Sequence, residues 1–351
     1  MKKKLFAILM AAIMVFAFAA CSSGDSGGGE ASGGGEIAVL VPSADHGWTG
    51  AVLNYAEEYA ADNTSDYTIK VYAATDAKEQ AQQIDDMLAS STPPAGIVIL
   101  PYDNTLESAM TKVAQSDIPF IMYDRIIDAE AVQEKVVANV KGDNEGIGIA
   151  TADRFADKDG MVAGDKVYVM IGDTSSVPEM RNQGFKDELK TLGWTDDQIA
   201  TLEFSKATGW SRSEGKQIFI DWLNGKTGDE IATYHYIFTH DDEIAMGILE
   251  ALAGSDIDAA KKDAFLTNVV SIGTSSGLNE IYEVLKGEHA NSAYPDIVQN
   301  FDLFSVTYDP GMVKTAIEDM VKHLGGEEIA KDHTISVDVV DSTNVTEYQG
   351  F

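Results

Sequence analysis

The sequence contains few cysteines and few basic residues. Cys21 is the single cysteine among 351 residues, so an intrachain disulfide is impossible and a metal site built from several thiolates is excluded. Lysine and arginine number 25 against 57 acidic residues, which gives a formal net charge of −32. Such a surface repels phosphate backbones and anionic headgroups, so nucleic acid is not expected as a partner. No helix-turn-helix pattern precedes residue 36, which argues against a transcriptional regulator.

Long hydrophobic runs are also scarce, and the one present lies at the N-terminus. A basic start, Met1 to Lys4, precedes the uncharged apolar segment from Leu5 to Ala20. This segment is shorter than the roughly 20 residues of a membrane-spanning helix and is typical of a secretory signal. The "FAAC" before and at Cys21 resembles a lipobox, which implies lipidation of that cysteine; an incidental thiol is the alternative. We therefore expect a signal peptide at residues 1–20.

Residues 21–35 would then form the membrane attachment. Cys21 would carry the lipid, and the Gly/Ser-rich stretch "SSGDSGGGEASGGG" that follows is typical of a flexible linker. We expect a protein attached to the cell membrane on its extracytoplasmic face, with the membrane contacted only through this anchor.

From residue 36 onward, short apolar runs alternate with helical patterns. Runs without polar alternation are typical of parallel strands buried on both faces, and they occur at 37–41, 96–100, 120–123, 167–171, 236–238 and 269–272. Between them, apolar residues recur at helical spacing, as at Ala77, Ala81, Ile84 and Leu88. This alternation predicts an α/β fold with parallel sheets. The units are too many for one small sheet, so two lobes are expected.

Ligands of such sheets bind at the carboxyl ends of the strands. In this sequence the segments after the predicted strands carry carboxylates, arginines and aromatic residues: Asp45, His46, Trp48, Tyr102, Asp103, Asp124, Arg125, Asp173, Arg181, Trp210, His240, Asp241, Ser275 and Tyr294. Carboxylates and guanidinium groups pair with hydroxyl groups, while indole and phenol rings cover the C–H faces of a sugar. The mixture indicates a neutral polyhydroxylated ligand.

Several segments together resemble one known family. They are "IPFIMYDR" (118–125), "RNQGFKDEL" (181–189), "GWSRSEG" (209–215), "IFTHDDEIAMGILEAL" (237–252) and "VVSIGT" (269–274). In order and spacing they are similar to the sugar-binding proteins of bacterial ABC importers with the type I periplasmic-binding fold, the ribose-binding group in particular. The resemblance runs from about residue 36 to 332. It implies two Rossmann-like lobes joined by a three-segment hinge, and a ligand held between them.

The resemblance also implies the ligand-binding residues. Carried over by motif, they are Asp45, His46, Trp48, Asp124, Arg125, Arg181, Trp210, Asp241 and Tyr294. The sequence departs from the family at Gly273, where the family has an acidic residue, and at His46 and Tyr294, where amides are commoner. We expect these departures to disfavour ribose. Without the resemblance, Trp48 would be assigned to the core and Asp241 to a helix cap.

The resemblance further implies the domain boundaries and the partners. One lobe would comprise 36–141 with 297–331, the other 142–296 with 332–351, and the chain would cross near 140–143, 294–297 and 332. A monomer would capture a monosaccharide or polyol and deliver it to an ABC transporter permease, without a cofactor, a metal or catalysis. A sensor that presents its ligand to a chemoreceptor or histidine kinase is the alternative.

One catalytic pattern remains. Gly273-Thr274-Ser275-Ser276-Gly277 matches G-x-S-x-G between a predicted strand and helix, the setting of a hydrolase nucleophile. No HGGG-like loop accompanies it, and small residues after a strand are also ordinary turn residues. A serine hydrolase at Ser275 is therefore a remote alternative.

Overall fold

The computed structural model describes residues 34–43 and 47–351. The expected signal peptide, Cys21, most of the linker, Asp45 and His46 lie outside this part of the chain. The strands are β1 (Glu36–Pro42), β2 (Thr68–Ala74), β3 (Gly96–Ile99), β4 (Phe120–Tyr123), β5 (Ala138–Gly142), β6 (Lys166–Met170), β7 (Glu203–Phe204), β8 (Tyr234–Thr239), β9 (Ser271–Thr274), β10 (Asp302–Thr307), β11 (Asp332–Ile335) and β12 (Asp338–Asp341).

Helices follow most strands. They are α1 (Gly47–Ala61), α2 (Ala77–Ala89), α3 (Glu107–Ala114), α4 (Glu130–Gln133), α5 (Asn144–Asp157), α6 (Ser176–Thr191), α7 (Asp196–Ile199), α8 (Arg212–Gly225), α9 (Gly228–Ile231), α10 (Asp242–Ala253), α11 (Ala259–Asn268), α12 (Asn279–Lys286), α13 (Ala293–Val298) and α14 (Met312–Leu324). Within the described ranges, no helix is long and apolar enough to cross a bilayer.

The strands form two six-stranded sheets. The first has the order β11-β5-β4-β3-β1-β2, and all its pairs are parallel. The second has the order β12-β10-β9-β8-β6-β7 and is parallel except for the β10–β12 pair. We call each sheet with its flanking helices a lobe. The predicted α/β fold with two mainly parallel sheets is confirmed.

The continuous apolar runs predicted the central strands well because these strands are buried on both faces. Every residue of β3 and β4 is buried. The edge strand β2 is less covered, since only Ile69 and Ala74 of its seven residues are buried. In β10 the apolar run is broken by Asp302 and by Ser305, although Ser305 is fully buried, where its hydroxyl donates to Asp242 Oδ1 at 2.9 Å.

The chain passes between the lobes three times, at positions that differ in part from those expected. The first passage lies between β5, which ends at Gly142, and α5, which begins at Asn144. The second follows Thr307 rather than 294–297, because β10 pairs with β9 and completes the second sheet. The third lies between Ile335 and Asp338 rather than near 332, because β11 pairs with β5 in the first sheet. The expected lobe boundaries at 297 and 332 are therefore wrong.

Candidate functional site

The ends of both sheets face a common cleft between the lobes. Its wall residues follow β1 and β4 in the first lobe, and β6, β7, β8, β9 and β10 in the second. The cleft holds about 370 Å³ of space not filled by atoms, including the part open to solvent, and it is lined by Trp48, Asp124, Arg125, Val177, Arg181, Trp210, Asp241, Ser276 and Tyr308. Binding sites for small ligands commonly have about 300–1,000 Å³.

Six of the nine ligand-binding residues expected from the sequence lie together in this cleft. They are Trp48, Asp124, Arg125, Arg181, Trp210 and Asp241. Asp45 and His46 lie outside the described residues. Tyr294 does not line the cleft: it is buried in the core of the second lobe, on α13, with its ring centroid 4.7 Å from that of His289.

Gly273 also lies away from the cleft. It is inside β9, and a Cβ added there would come within 2.7 Å of Phe304 Cζ and 3.0 Å of Thr151 Cγ2. A side chain at this position would therefore collide with the core between β10 and α5. Gly273 therefore gives no reason to expect that ribose is disfavoured, contrary to the expectation from the sequence. The strand continues to Thr274, and Ser276 is the residue of this segment that reaches the cleft.

Asp124 follows β4 in a left-handed backbone conformation with φ of 59°. Its carboxylate Oδ1 accepts a hydrogen bond from the Tyr308 hydroxyl at 3.0 Å. Burial raises the pKa of this carboxyl, while the charge of Arg125 and the bond from Tyr308 oppose the rise. Arg125 is half-buried, and its guanidinium donates to the carbonyl oxygen of Tyr102. The first lobe thus presents one carboxylate and one guanidinium side by side.

Arg181 is held more tightly on the second lobe. It lies on α6 and is 5% exposed. Its Nε donates to Asn144 Oδ1 at 2.9 Å, and its Nη1 donates to Ser275 Oγ at 2.8 Å and to the carbonyl oxygen of His240. The guanidinium carbon also lies 5.5 Å from the centre of the Trp210 ring, within the range of a cation–π contact. These contacts fix the position of the guanidinium without help from a ligand.

Asp241 caps α10 at the same end of the second sheet. Its Oδ1 accepts a hydrogen bond from the Glu243 amide at 2.8 Å, which is the only bond to this carboxylate from the described residues. Burial, and then the adjacent Asp242, raise the pKa of Asp241 well above its ordinary value. Asp242 is itself buried, but its carboxylate accepts from the amides of Gly277 and Leu278. Asp242 therefore stabilises the second lobe, and Asp241 is left to face the cleft.

Aromatic rings close the cleft from opposite sides. The indole of Trp48 meets the ring of Tyr308 edge to face, with centroids 6.0 Å apart. Trp210 packs over Gly172, where an added Cβ would come within 2.4 Å of the indole. Tyr308 packs in the same way over Gly142, where a Cβ would be 2.2 Å from Tyr308 Cζ. The two glycines thus allow these rings to approach the backbone closely.

Backbone strain is concentrated in the cleft. Among the described residues, three that are not glycine have positive φ: Asp124 at 59°, Trp210 at 60° and Ser276 at 142°. All three line the cleft. Such conformations are costly for residues with a Cβ and are retained mainly where the side chain serves a function.

Ser275 is not arranged as a nucleophile. It is fully buried, and its hydroxyl donates to the carbonyl oxygen of His240 at 2.8 Å and accepts from Arg181. The His240 ring is turned elsewhere, with Nε2 3.1 Å from Asn182 Oδ1, and burial holds its pKa well below the ordinary value. No base among the described residues contacts the serine hydroxyl, so this serine positions Arg181. Metal-binding clusters of three or more His, Cys, Asp or Glu are also absent from the described chain.

Three cleft residues were missed by the sequence reasoning. Tyr308 directly follows β10, and its position would have been evident had "DLFSVT" been recognised as a strand. Ser276 follows β9 within the segment 273–277, which the sequence analysis considered only as a hydrolase pattern centred on Ser275. Val177, in the first turn of α6, has no distinguishing sequence signal.

Fold and cleft together define a two-lobed ligand-binding protein. Residues 37–328 match a family described as the periplasmic binding protein domain, and since the match covers most of the chain, the chain belongs to this family. It is a type I periplasmic binding protein, as the sequence resemblance indicated.

Relatives and solved structures agree with this assignment. A putative rhizopine-binding protein of Rhizobium meliloti is 24% identical over 287 residues, covering 79% of this chain and 81% of that protein. The ribose import binding protein of Bacillus subtilis (strain 168) is 27% identical over 192 residues, 54% of this chain and 56% of its own length.

Among solved structures, a galactofuranose binding protein superposes with a TM-score of 0.70 at 18% identity, covering 89% of this chain and 96% of that one. A solute binding protein from Bacillus halodurans C-125 with bound myo-inositol also has a TM-score of 0.70, at 21% identity, covering 92% of this chain and 99% of that one. At these identities the structural likeness shows the fold.

Proposed function

We propose that this protein captures a neutral monosaccharide or polyol between its lobes and delivers it to an ABC importer. The observation that carries the proposal is the composition of the cleft: each lobe contributes one carboxylate, one guanidinium and one indole to the same small space. The two carboxylates and two guanidinium groups balance in formal charge, so an uncharged ligand suits them. The names of the relatives, which bind ribose, myo-inositol or galactofuranose, support the same ligand class.

The chemistry of such recognition follows from the groups that line the cleft. Carboxylates accept hydrogen bonds from hydroxyl groups, and guanidinium groups donate to hydroxyl oxygens in a fixed fork. Trp48 and Trp210 offer flat apolar faces for the C–H groups of a ring. A site that already holds its polar side chains in place loses little entropy when the ligand binds.

A thermal-shift screen of the protein from residue 36 onward tests the proposal. The panel contains pentoses, hexoses, inositols and linear polyols, and a ligand at 100 times its Kd should stabilise the folded state by about 2.7 kcal/mol. Asp241→Asn serves as the paired variant, since the asparagine keeps the cap of α10 but changes the cleft. A stabilising sugar or polyol that loses its effect in this variant supports the proposal. A flat response to the whole panel contradicts it.

We further propose that the protein is a lipoprotein anchored through Cys21 on the extracytoplasmic face. The apolar segment before "FAAC" and the linker after it support this location. A cysteine that carries two acyl chains through a diacylglyceryl group would be held stably, whereas a single chain binds only marginally. Detergent partitioning of the wild type tests it: the wild type should enter the detergent phase, whereas Cys21→Ala should carry no lipid and either remain uncleaved or be released as a soluble form. A wild type that stays in the aqueous phase excludes the anchor.

A further inference from the structure

A second cavity adjoins the cleft beside the hinge. It shares Ser276 and Tyr308 with the cleft, and it encloses about 780 Å³ of space not filled by atoms, including the part open to solvent. Its walls include the residues of the second passage between the lobes, from Thr307 to Pro310, and Asp338 just after the third. We call this space the hinge cavity. Nothing in the capture of a sugar by the cleft requires it.

Besides Tyr308, four aromatic rings from distant parts of the chain line the hinge cavity. Tyr55 comes from α1 of the first lobe, Tyr282 from α12 of the second, and Tyr348 and Phe351 from the C-terminal segment. None of the four stacks on another ring within the described chain. Tyr282 is 2% exposed, yet its hydroxyl forms no hydrogen bond with any described residue. The cavity therefore offers ring surface from both lobes and a phenol hydroxyl that has no hydrogen-bond partner among the described residues.

The charge in the hinge cavity has one sign. Asp309, Asp338 and Glu347 line it, and no Lys, Arg or His does so among the described residues. Carboxylates face the rings closely enough to raise the pKa of the phenols, after burial itself: Asp309 acts on Tyr55, and Asp338 acts on Tyr348. The ring of Tyr55 already contacts a cation, since Lys314 Nζ lies 4.3 Å from its centre.

Ring faces together with carboxylates select a particular ligand class. The face of an aromatic ring carries negative potential and attracts an ammonium group, most strongly where the group is partly desolvated. Carboxylates at the rim add attraction that a neutral molecule does not feel. We propose that the hinge cavity is a second ligand site, specific for a small organic ammonium cation, and distinct from the sugar cleft.

The position of the cavity links this site to the movement of the lobes. Tyr55 belongs to the first lobe and Tyr282 to the second, and the hinge segment from Thr307 to Pro310 lies between them. A cation that contacts both sides binds one relative position of the lobes better than others. Linkage then requires that the cation and the sugar change each other's affinity by the same factor.

Calorimetry with choline chloride tests the site, with 3,3-dimethyl-1-butanol as its uncharged isostere and sodium chloride as the salt control. We expect choline to bind about 5- to 30-fold more tightly than the alcohol, the range of a cation held on ring faces. Equal binding of the two molecules, or no binding of choline, overturns the proposal.

Variants locate the binding. Asp338→Asn together with Glu347→Gln should weaken choline about 3- to 10-fold, whereas Glu288→Gln, which removes one exposed carboxylate outside the cavity, should not. Tyr348→Leu should remove most of the preference of choline over the alcohol. Asp241→Asn, in the cleft, should leave choline binding intact. If Asp241→Asn abolishes choline binding instead, the cation occupies the cleft and the proposal is wrong; this outcome is independent of whether the cleft binds sugar.

Discussion

The two lobes present the same chemical groups to the cleft, but they hold them with different rigidity. Arg181 of the second lobe is buried and bonded to Asn144, Ser275 and the His240 carbonyl. Arg125 of the first lobe is half-buried and donates, within the part of the chain that the structure describes, to one carbonyl, that of Tyr102. The second lobe is therefore preorganised, and the first has a looser wall. We infer that the ligand docks first on the second lobe and that closure brings Asp124 and Arg125 onto it.

The largest expected effect is the difference in stability between the variants Arg181→Met and Arg125→Met, since the two arginines are held with different rigidity. Arg181→Met removes a buried charged donor from Asn144 Oδ1 and from the His240 carbonyl, which keeps only its bond from Ser275, so the free energy of unfolding should fall by about 2–4 kcal/mol. Arg125→Met should change it by less than about 0.5 kcal/mol, since its environment is partly solvated. Urea unfolding of both variants without ligand measures the difference. Equal losses would mean that the two walls are equally rigid.

Asp241→Asn should separate binding from stability. Asparagine is as good a helix cap as aspartate, so the bond from the Glu243 amide is retained, and the repulsion from Asp242 is removed. Affinity for the ligand found by screening should fall about 10- to 150-fold, the effect of losing a charge-assisted bond worth about 1.5–3 kcal/mol. Calorimetry measures the affinity, and thermal melting should show no loss of stability. Unchanged affinity would remove Asp241 from the site.

The same carboxyl should make stability depend on pH. The pKa of Asp241 is raised in the folded state, so the unfolded chain releases this proton first as the pH rises. Its contribution is therefore full below the ordinary value of 3.8 and is lost as the pH rises through the folded-state pKa. The free energy of unfolding of the wild type, relative to Asp241→Asn, should decrease from pH 4 to pH 7. A constant difference between the two proteins over this range would contradict the raised pKa.

Closure of the lobes should be visible in solution. If the first lobe is recruited onto a ligand already bound by the second, saturation should reduce the radius of gyration, and Arg125→Met should close less completely than the wild type. Small-angle scattering with and without ligand measures both. An identical radius in all states would indicate a rigid cleft.

The smallest effect is expected at Tyr294. Its ring packs in the core of the second lobe beside His289, away from the cleft. Tyr294→Phe should therefore leave ligand affinity unchanged in calorimetry. A tenfold loss would return this residue to the site, as the sequence resemblance implies.

Much of this protein was determined by local sequence. The buried parallel strands appear as continuous apolar runs because both faces of each strand are covered, and β3 and β4 were located almost to the residue. The segments after such strands lie at one edge of a sheet as a matter of geometry. For this reason Asp124, Arg125, Arg181, Trp210 and Asp241 could be grouped from the sequence alone.

Tertiary structure alone decided the rest. Nothing local in "DLFSVT" marks it as a central strand, since its buried Ser305 is paired with Asp242, 63 residues earlier in the chain. The resulting shift of the second passage between lobes brings Tyr308 within hydrogen-bonding distance of Asp124, 184 residues away. Gly273 and Tyr294 matched a motif by position, but the packing of Phe304 and His289 assigns both to the core. Which side chain reaches the cleft thus depends on where each strand ends against its neighbours, and that is a property of contacts between segments distant in sequence.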